Sequence, residues 1–159
     1  MIYIGIDPDV DKSGVAIWDG VLTLTTLSFW DLSAMIEKTY YENAEINVFT
    51  DGFNANTLAS YLPKIYIEAG WLNKSSWHPS PNRSTASRIG KNIGANHQIG
   101  KLIAEKCERL KIPHELVKPT KSKVTDHKLF CRITGYKGRR SNQEMRDAAM
   151  LIWGRKKIK

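Results

Sequence analysis

The sequence has few cysteines and no long apolar run. Cys107 and Cys131 are its two cysteines and show no metal-ligand spacing, so we expect reduced thiols in a cytoplasmic protein. No apolar run approaches the roughly 20 residues that a membrane span needs. The first seven residues contain no basic segment or cleavage site, so we expect no secretory leader. With 42% apolar and 25% charged residues, the 159-residue chain has the composition of a globular protein and not of a disordered one.

Basic residues are scarce in the first part of the chain, and acidic residues are scarce in the rest. The formal net charge is +8, but residues 1–62 carry a net −7, residues 63–110 a net +5 and residues 111–159 a net +10. A basic C-terminal half favours a polyanionic partner, for which nucleic acid is the usual candidate. The alternative is a basic face that only keeps the protein soluble.

The apolar pattern predicts an α/β fold. Three strands open the chain, and the turn signal Asp19-Gly20 joins the second to the third. The predicted strands are 2–7, 14–19, 21–28, 64–68 and 114–117. Because a strand that follows a crossover helix usually returns parallel, the fourth strand should pair in parallel with the first. The order βββαβαβα is that of a ribonuclease H-like fold, with a five-stranded mixed sheet and helices on both faces.

Helical periodicity predicts four helices, over 32–43, 84–110, 124–133 and 142–153. Asp31 and Asn142 are the expected N-caps of the first and last helices. Residues 46–62 are ambiguous, because Ile46–Phe49 fits a short strand and Thr57–Leu62 fits a short helix.

Four carboxylates from distant segments are predicted to converge. Asp7 and Glu68 end the first and fourth strands, and parallel neighbours place their carboxyl ends at one edge of the sheet. Glu144 and Asp147 are spaced i, i+3 and share one helix face. Four such charges repel one another unless cations neutralise them, and oxygen ligands suit Mg²⁺ or Mn²⁺. Since two such ions can hydrolyse a phosphodiester, the four residues are candidate metal ligands and catalytic groups of a nuclease.

Simpler interpretations exist for these acids. An aspartate at a strand end, like Asp7, is often a turn former. Glu144 can complement the helix dipole or, with Asp147, pair with Arg140 and Arg146. Asp9 and Asp11 fit loop capping better than ligation. The four histidines are scattered without zinc spacing, so we expect them to be structural or exposed. They are His78, His97, His114 and His127.

The order and spacing of several motifs resemble the RuvC family of Holliday-junction resolvases, and within it the phage and prophage branch. Ile4-Gly5-Ile6-Asp7-Pro8 followed by Ser13–Ala16 resembles the first catalytic motif, Ile65–Glu68 the second and Asp147-Ala148-Ala149 the last. The segments 94–100 and 112–123 resemble the long helix, fifth strand and basic segment. The resemblance covers most of the chain as one nuclease domain, 1–159, in which residues 46–62 look inserted or altered.

This resemblance implies a homodimer that cleaves four-way DNA junctions with two Mg²⁺ ions per active site, Mn²⁺ being a possible substitute. The metal-binding carboxylates of the family match Asp7, Glu68, Glu144 and Asp147. The bacterial pattern usually has aspartate where this chain has Glu144, and the longer side chain could shift one metal.

The resemblance also implies DNA contacts. Trp71 matches an aromatic residue that wedges into the junction, with packing under its own loop or at the dimer contact as the alternative. The basic segment that binds near the scissile phosphate matches Lys118, Lys121 and Lys123. The long helix, with Ile89 and Ile93, is a candidate dimer contact or packs against the sheet.

Two other functions remain open at this point. One is a ribonuclease H-like nuclease that acts on other branched DNA or on RNA–DNA hybrids. The other is a non-catalytic nucleic-acid-binding module on the same fold. All four candidate positions are acidic, which favours an enzyme, since a protein that only binds nucleic acid has no need to keep them.

Overall fold

The computed structural model describes residues 2–51, 62–73, 83–120 and 123–155, and within these the side chains of 46–51 and 83–89 are not described. The described part contains five strands, four α-helices and a short 3-10 turn at Gly70–Leu72. In chain order the elements are β1 (Tyr3–Asp7), β2 (Ser13–Trp18), β3 (Leu22–Leu27), α1 (Phe29–Asp51), β4 (Lys64–Glu68), α2 (Arg83–Arg109), β5 (His114–Val117), α3 (His127–Thr134) and α4 (Gln143–Trp153).

The strands form one mixed sheet in the order β3-β2-β1-β4-β5. β1 pairs antiparallel with β2, and β2 with β3, while β4 is parallel to both β1 and β5. Alternation along β1 places Ile4 and Ile6 on one face of the sheet and Tyr3, Gly5 and Asp7 on the other. The predicted five-stranded mixed sheet, with its first three strands antiparallel, is confirmed.

An apolar layer covers each face of the sheet. On one face, Ile4 and Ile6 pack with Ile36 of α1 and Ile103 of α2. On the other face, Tyr3, Ala16 and Tyr66 pack with Phe130 of α3 and with Ala148 and Ile152 of α4. The helices therefore lie on both faces, and α4 shares its face of the sheet with the side chains at odd positions of β1.

Glycine allows α4 to lie directly on the sheet. A Cβ added at Gly5 would overlap the carbonyl oxygen of Ala148, and one added at Gly14 would overlap that of Glu144. No other residue fits this close approach of the two backbones. The first turns of α4 are thus seated beside the carboxyl end of β1.

Helix α1 is longer than the sequence predicts at both ends. It begins at Phe29, because Ser28 supplies the cap: its Oγ accepts from the Asp31 amide at 3.2 Å and donates to the Asp31 carboxylate at 2.6 Å. The assignment of Asp31 as N-cap is therefore wrong, since Asp31 lies inside the first turn.

The short strand that the ambiguous segment Ile46–Phe49 could form is absent, because α1 continues to Asp51. No glycine or proline interrupts the chain between 29 and 51, so a helix that has already nucleated can propagate. Most of the predicted helix Thr57–Leu62 and most of the suggested insertion lie outside the described residues.

The remaining elements agree with their predicted positions to within three residues. Strand β5 has the predicted bounds, α2 differs from its prediction by one residue at each end, and α4 begins after Asn142. The side-chain oxygen of Asn142 accepts from the Met145 amide at 2.8 Å, which confirms it as the N-cap. In the described ranges, no helix combines the length and the apolar character needed to cross a membrane.

Candidate active site

The four predicted carboxylates line one cleft of about 300 Å³. Asp7 and Glu68 end β1 and β4, one position beyond the parallel pair Ile6–Ile67. Glu144 and Asp147 reach the same cleft from the first two turns of α4. The sheet register and the seating of α4 thus bring together acids that are up to 140 positions apart in the chain.

The carboxylates of this cleft are held under mutual repulsion. The pKa of Asp7 is raised to about 8, chiefly by burial and then by the charge of Glu68, with smaller contributions from Asp147 and Glu144, while Lys123 opposes the rise. Burial likewise raises the pKa of Glu68, and Asp147 adds to the effect. Burial is the main cause of both shifts, and repulsion among the carboxylates, which a nearby cation would offset, adds to it.

Lys123 supplies part of the missing positive charge. Its Nζ donates to Oδ2 of Asp147 at 2.5 Å. Burial lowers the pKa of Lys123, but the bond to Asp147 and the charges of Glu68, Asp147 and Asp7 outweigh it and raise the pKa overall. In this structure the ammonium therefore lies among the carboxylates.

The other two lysines of the predicted basic segment are placed differently. Lys118 is exposed and lines a second cleft of about 240 Å³. That cleft shares Glu68, Lys123 and Asp147 with the first one, so Lys118 lies beside the acidic site. Lys121 lies outside the described residues.

A chain of hydrogen bonds orients Asp147. Gln143 Nε2 donates to Oδ1 of Asp147 at 2.6 Å, and Arg146 Nη2 donates to Oε1 of Gln143 at 3.0 Å. The buried Arg146 also donates to the carbonyl oxygens of Val124 and Ser141. Arg146 thus ties the segment before α3 to α4 and does not form the suggested ion pair with Asp147.

Helix α2 contributes residues to the cleft that are not among the sequence-predicted site residues. Asn96 and His97 line it together with Ile93. His97, which the sequence predicts to be structural or exposed, is half-buried, and its ring lies against Gly70, where an added Cβ would be 2.7 Å from Nε2. The i, i+3, i+4 spacing of these residues puts them on one helix face, which is a signal the sequence does contain.

Trp71 lies in the 3-10 turn after β4 and lines the cleft. Its half-buried ring packs against Gly100 of α2, where an added Cβ would be 2.6 Å from Cζ3. The His97 ring meets it edge-on with centroids 6.0 Å apart, and Lys101 Nζ lies 5.9 Å from its centroid. Trp71 is therefore braced by α2 at the mouth of the cleft.

The chemistry of the donors suits a divalent cation that prefers oxygen. Within the described ranges, no three His, Cys, Asp or Glu side chains are already arranged as a metal site. The four carboxylates nevertheless share a cleft in which the pKa of Asp7 and of Glu68 is raised, and bound cations would relieve that repulsion. Asp147 would have to exchange its bond with Lys123 for one with the metal.

No protein-family model and no curated protein matches the chain. Among solved structures, it is similar to Thermus thermophilus RuvC in complex with a Holliday junction substrate, at 12% identity and a TM-score of 0.44, covering 96% of this chain and 90% of that one. It is also similar to a second Thermus thermophilus RuvC structure, at 12% identity and a TM-score of 0.39, covering 96% and 92%. Similarity at this level does not identify an activity, so the function is inferred from the residues of the site.

Proposed function

We propose that the chain is a divalent-metal-dependent DNA endonuclease that resolves four-way junctions. The observation that carries the proposal is the convergence of Asp7, Glu68, Glu144 and Asp147, from three distant segments, in one cleft of a basic protein. A protein that only binds DNA gains nothing from gathering repelling acids beside its basic surface. A metal-dependent phosphodiesterase can use such a group of acids to hold its cations.

The carboxylates would hold Mg²⁺, with Mn²⁺ as a possible substitute, at two ions per site. The chemistry supplied by bound ions is activation of water and stabilisation of the leaving 3′ oxygen of the phosphodiester. The residues of the chain position these ligands. Asp7 and Glu68 are held by the sheet, and Asp147 is oriented by Gln143, which Arg146 holds in turn.

The DNA would lie across the mouth of this cleft. Lys118 is exposed there to meet phosphates, and we assign the same role to Lys121 and to Lys123 once Asp147 releases it. Trp71, braced on α2, would stack on a base that is unpaired at the branch point. Stacking of this kind contributes about 1–3 kcal/mol per base.

Symmetric cleavage of a four-way junction requires two active sites, so the proposal includes a homodimer with two-fold symmetry. Helix α2 is the proposed contact between protomers. We also propose that residues 1–159 form one nuclease domain of a cytoplasmic protein, and that this protein belongs to the phage and prophage branch of RuvC-like enzymes.

The decisive experiment is a cleavage assay with the purified protein and four substrates: a four-way junction, a fork, a linear duplex and an RNA–DNA hybrid. We expect Mg²⁺-dependent cleavage of the junction to nicked duplexes with 5′ phosphates. Asp7→Asn and Glu68→Gln should each abolish cleavage while junction binding in EDTA persists. Asp11→Asn, which alters an exposed acid in the loop after β1, is the matched control and should cut normally.

Each other outcome contradicts part of the proposal. Cleavage that persists in both variants would remove the four carboxylates from the reaction. Preferential cleavage of the fork or the hybrid would identify a ribonuclease H-like nuclease of different specificity. Junction binding without cleavage of any substrate would identify a non-catalytic binding module.

A further inference from the structure

The loop that follows β1 is tied to a helix more than 80 residues away by one side chain. Asn96 of α2 donates from Nδ2 to Oδ2 of Asp9 at 3.0 Å. Its Oδ1 accepts from the backbone amide of Val10 at 2.9 Å. The amide group of Asn96 therefore uses both its donor and its acceptor on two consecutive loop residues.

Asp9 is the centre of the hydrogen bonds in this loop. Its Oδ1 accepts from the amide of Asp11 at 2.9 Å, and its own amide donates to Oγ of the buried Ser13 at 3.2 Å. These bonds fix the loop within itself. The bonds to Asn96 fix the loop to the rest of the protein.

A second contact with α2 lies one residue closer to the catalytic candidate. A Cβ at Gly100 would be 3.2 Å from Cγ of Pro8, so α2 packs closely on the residue that follows Asp7. Asn96 and Gly100 are one helical turn apart and grip residues 8–10 from the same side. The backbone around Asp7 is thus held by the pairing of β1 in the sheet and by the contacts of residues 8–10 with α2.

We propose that Asn96 is a positioning residue that holds the Asp7 carboxylate in place for metal binding. This inference rests on the proposed function. It assigns to Asn96 no contact with the metal or with DNA. Loss of the two hydrogen bonds from Asn96 would free residues 8–10, and the carboxylate of Asp7 would sample orientations that do not face Glu68 and Asp147. Outer partners that orient ligands in this way typically change metal affinity or activity about 10–100-fold when removed.

The first test measures metal binding without any DNA. Asn96→Ala removes both bonds, and Gln98→Ala is the matched control, because Gln98 is an exposed amide two residues further along the same helix. Titration with Mn²⁺ in a calorimeter should show affinity reduced about 10–100-fold for Asn96→Ala and unchanged for Gln98→Ala. In the cleavage assay, kcat should fall for Asn96→Ala while KM for the junction stays within about two-fold.

The second test exchanges the two hydrogen-bonding groups. Asn96→Asp alone retains an acceptor for the Val10 amide but sets a carboxylate against Asp9, so metal affinity should fall at least as far as in Asn96→Ala. Combining Asn96→Asp with Asp9→Asn leaves the charge unchanged and restores the bond between the two positions with the donor reversed. The double variant should recover Mn²⁺ affinity to within about three-fold of the wild-type value.

The outcomes separate this inference from the proposed function. Wild-type Mn²⁺ affinity in Asn96→Ala would overturn the positioning role, provided that Asp7→Asn has lost metal binding. If Asp7→Asn itself binds Mn²⁺ normally, it is the proposed metal site that fails. If Asn96→Ala does not fold, the double variant of Asn96→Asp and Asp9→Asn tests the proposal instead. A double variant that folds but fails to recover Mn²⁺ affinity contradicts the positioning role of Asn96.

Discussion

The Nζ atom of Lys123 lies 2.5 Å from Oδ2 of Asp147, so a cation of the chain itself stands among the carboxylates of the cleft. Asp147 is 6% exposed and Lys123 is 42% exposed, which means that the ammonium enters from the solvent side. The charge of Lys123 opposes the rise in pKa of Asp7 and Glu68. Its place among the carboxylates makes Lys123 the group that a metal or a phosphate would displace.

Lys123→Met tests this role, because methionine keeps an unbranched apolar stem and removes the charge. At pH 8 the metal-free variant should unfold several degrees below the wild type, since Asp147, Glu68 and Asp7 lose their neighbouring cation. Mg²⁺ should restore part of that difference in a thermal unfolding experiment.

Lys118→Met is the matched control for stability, because Lys118 is exposed and makes no ion pair within the described ranges. Its unfolding temperature should stay within about 1 °C of the wild-type value, as is usual for a surface substitution. Equal losses in both variants would show that Lys123 has no special place in the cleft.

The pKa of Asp7 predicts how metal-free stability depends on pH. This pKa is about 8 in the folded protein against 3.8 for an ordinary aspartate, so the folded state binds the proton more tightly. The stability contributed by the protonated form is therefore complete below about pH 4 and is lost as the pH rises towards 8. Glu68, whose pKa is also raised, acts in the same direction.

Asp7→Asn removes the Asp7 part of this dependence, because asparagine carries no proton to lose. Without metal at pH 8, the variant should unfold several degrees above the wild type, and the difference should shrink as the pH falls towards 4. Mg²⁺ should raise the unfolding temperature of the wild type but not that of the variant. A variant less stable than the wild type at pH 8 would contradict the raised pKa.

Two glycines of α2 should respond oppositely to the same substitution. An added Cβ at Gly100 would be 2.6 Å from Cζ3 of Trp71 and 3.2 Å from Cγ of Pro8, whereas at Gly94 it would meet nothing within 4 Å. Gly94→Ala should therefore stabilise the protein by up to about 1 kcal/mol through helix propensity alone. Gly100→Ala should destabilise it by about 1–3 kcal/mol through overpacking.

Denaturant unfolding measures both free energies, and tryptophan emission reports the displacement of Trp71 in Gly100→Ala. Cleavage should also fall in that variant, because Pro8 and Trp71 flank the candidate active site. Stabilisation by both substitutions would mean that Trp71 does not pack on α2 in solution.

The two thiols should differ in reactivity. Burial raises the pKa of Cys107 to about 12, and its side chain is 0% exposed, so it has almost no reactive thiolate at pH 8. Cys131 is half-buried on α3, with its sulfur 3.5 Å from Nε2 of His127. A colorimetric thiol reagent should label about one thiol in the native protein and both after unfolding.

Cys131→Ser serves as the control for that experiment, and its native form should show almost no labelling. Rapid labelling of two thiols in the native wild type would place Cys107 outside the core.

The alternation of apolar residues is strong enough to predict most of the fold. Ile4 and Ile6 on one side of β1, with Tyr3, Gly5 and Asp7 on the other, identify a strand, its buried face and the acid at its end. The same local information places Glu68 at the end of β4. It fails in α1, because Ile46–Phe49 fits a strand as well as a helix, and what decided the outcome was continuation of a helix already begun.

The sequence by itself determined which acids stand at the ends of elements, because strand and helix periodicity are local properties. It did not determine which side chains meet those acids. Lys123 on Asp147 and Asn96 on Asp9 are contacts across 24 and 87 positions, and they depend on how α4 and α2 are seated on the sheet. Only the tertiary structure decided that seating, because the close approach of α4 at Gly5 and Gly14, and of the Trp71 and Pro8 side chains at Gly100, depends on the shapes of both surfaces at once.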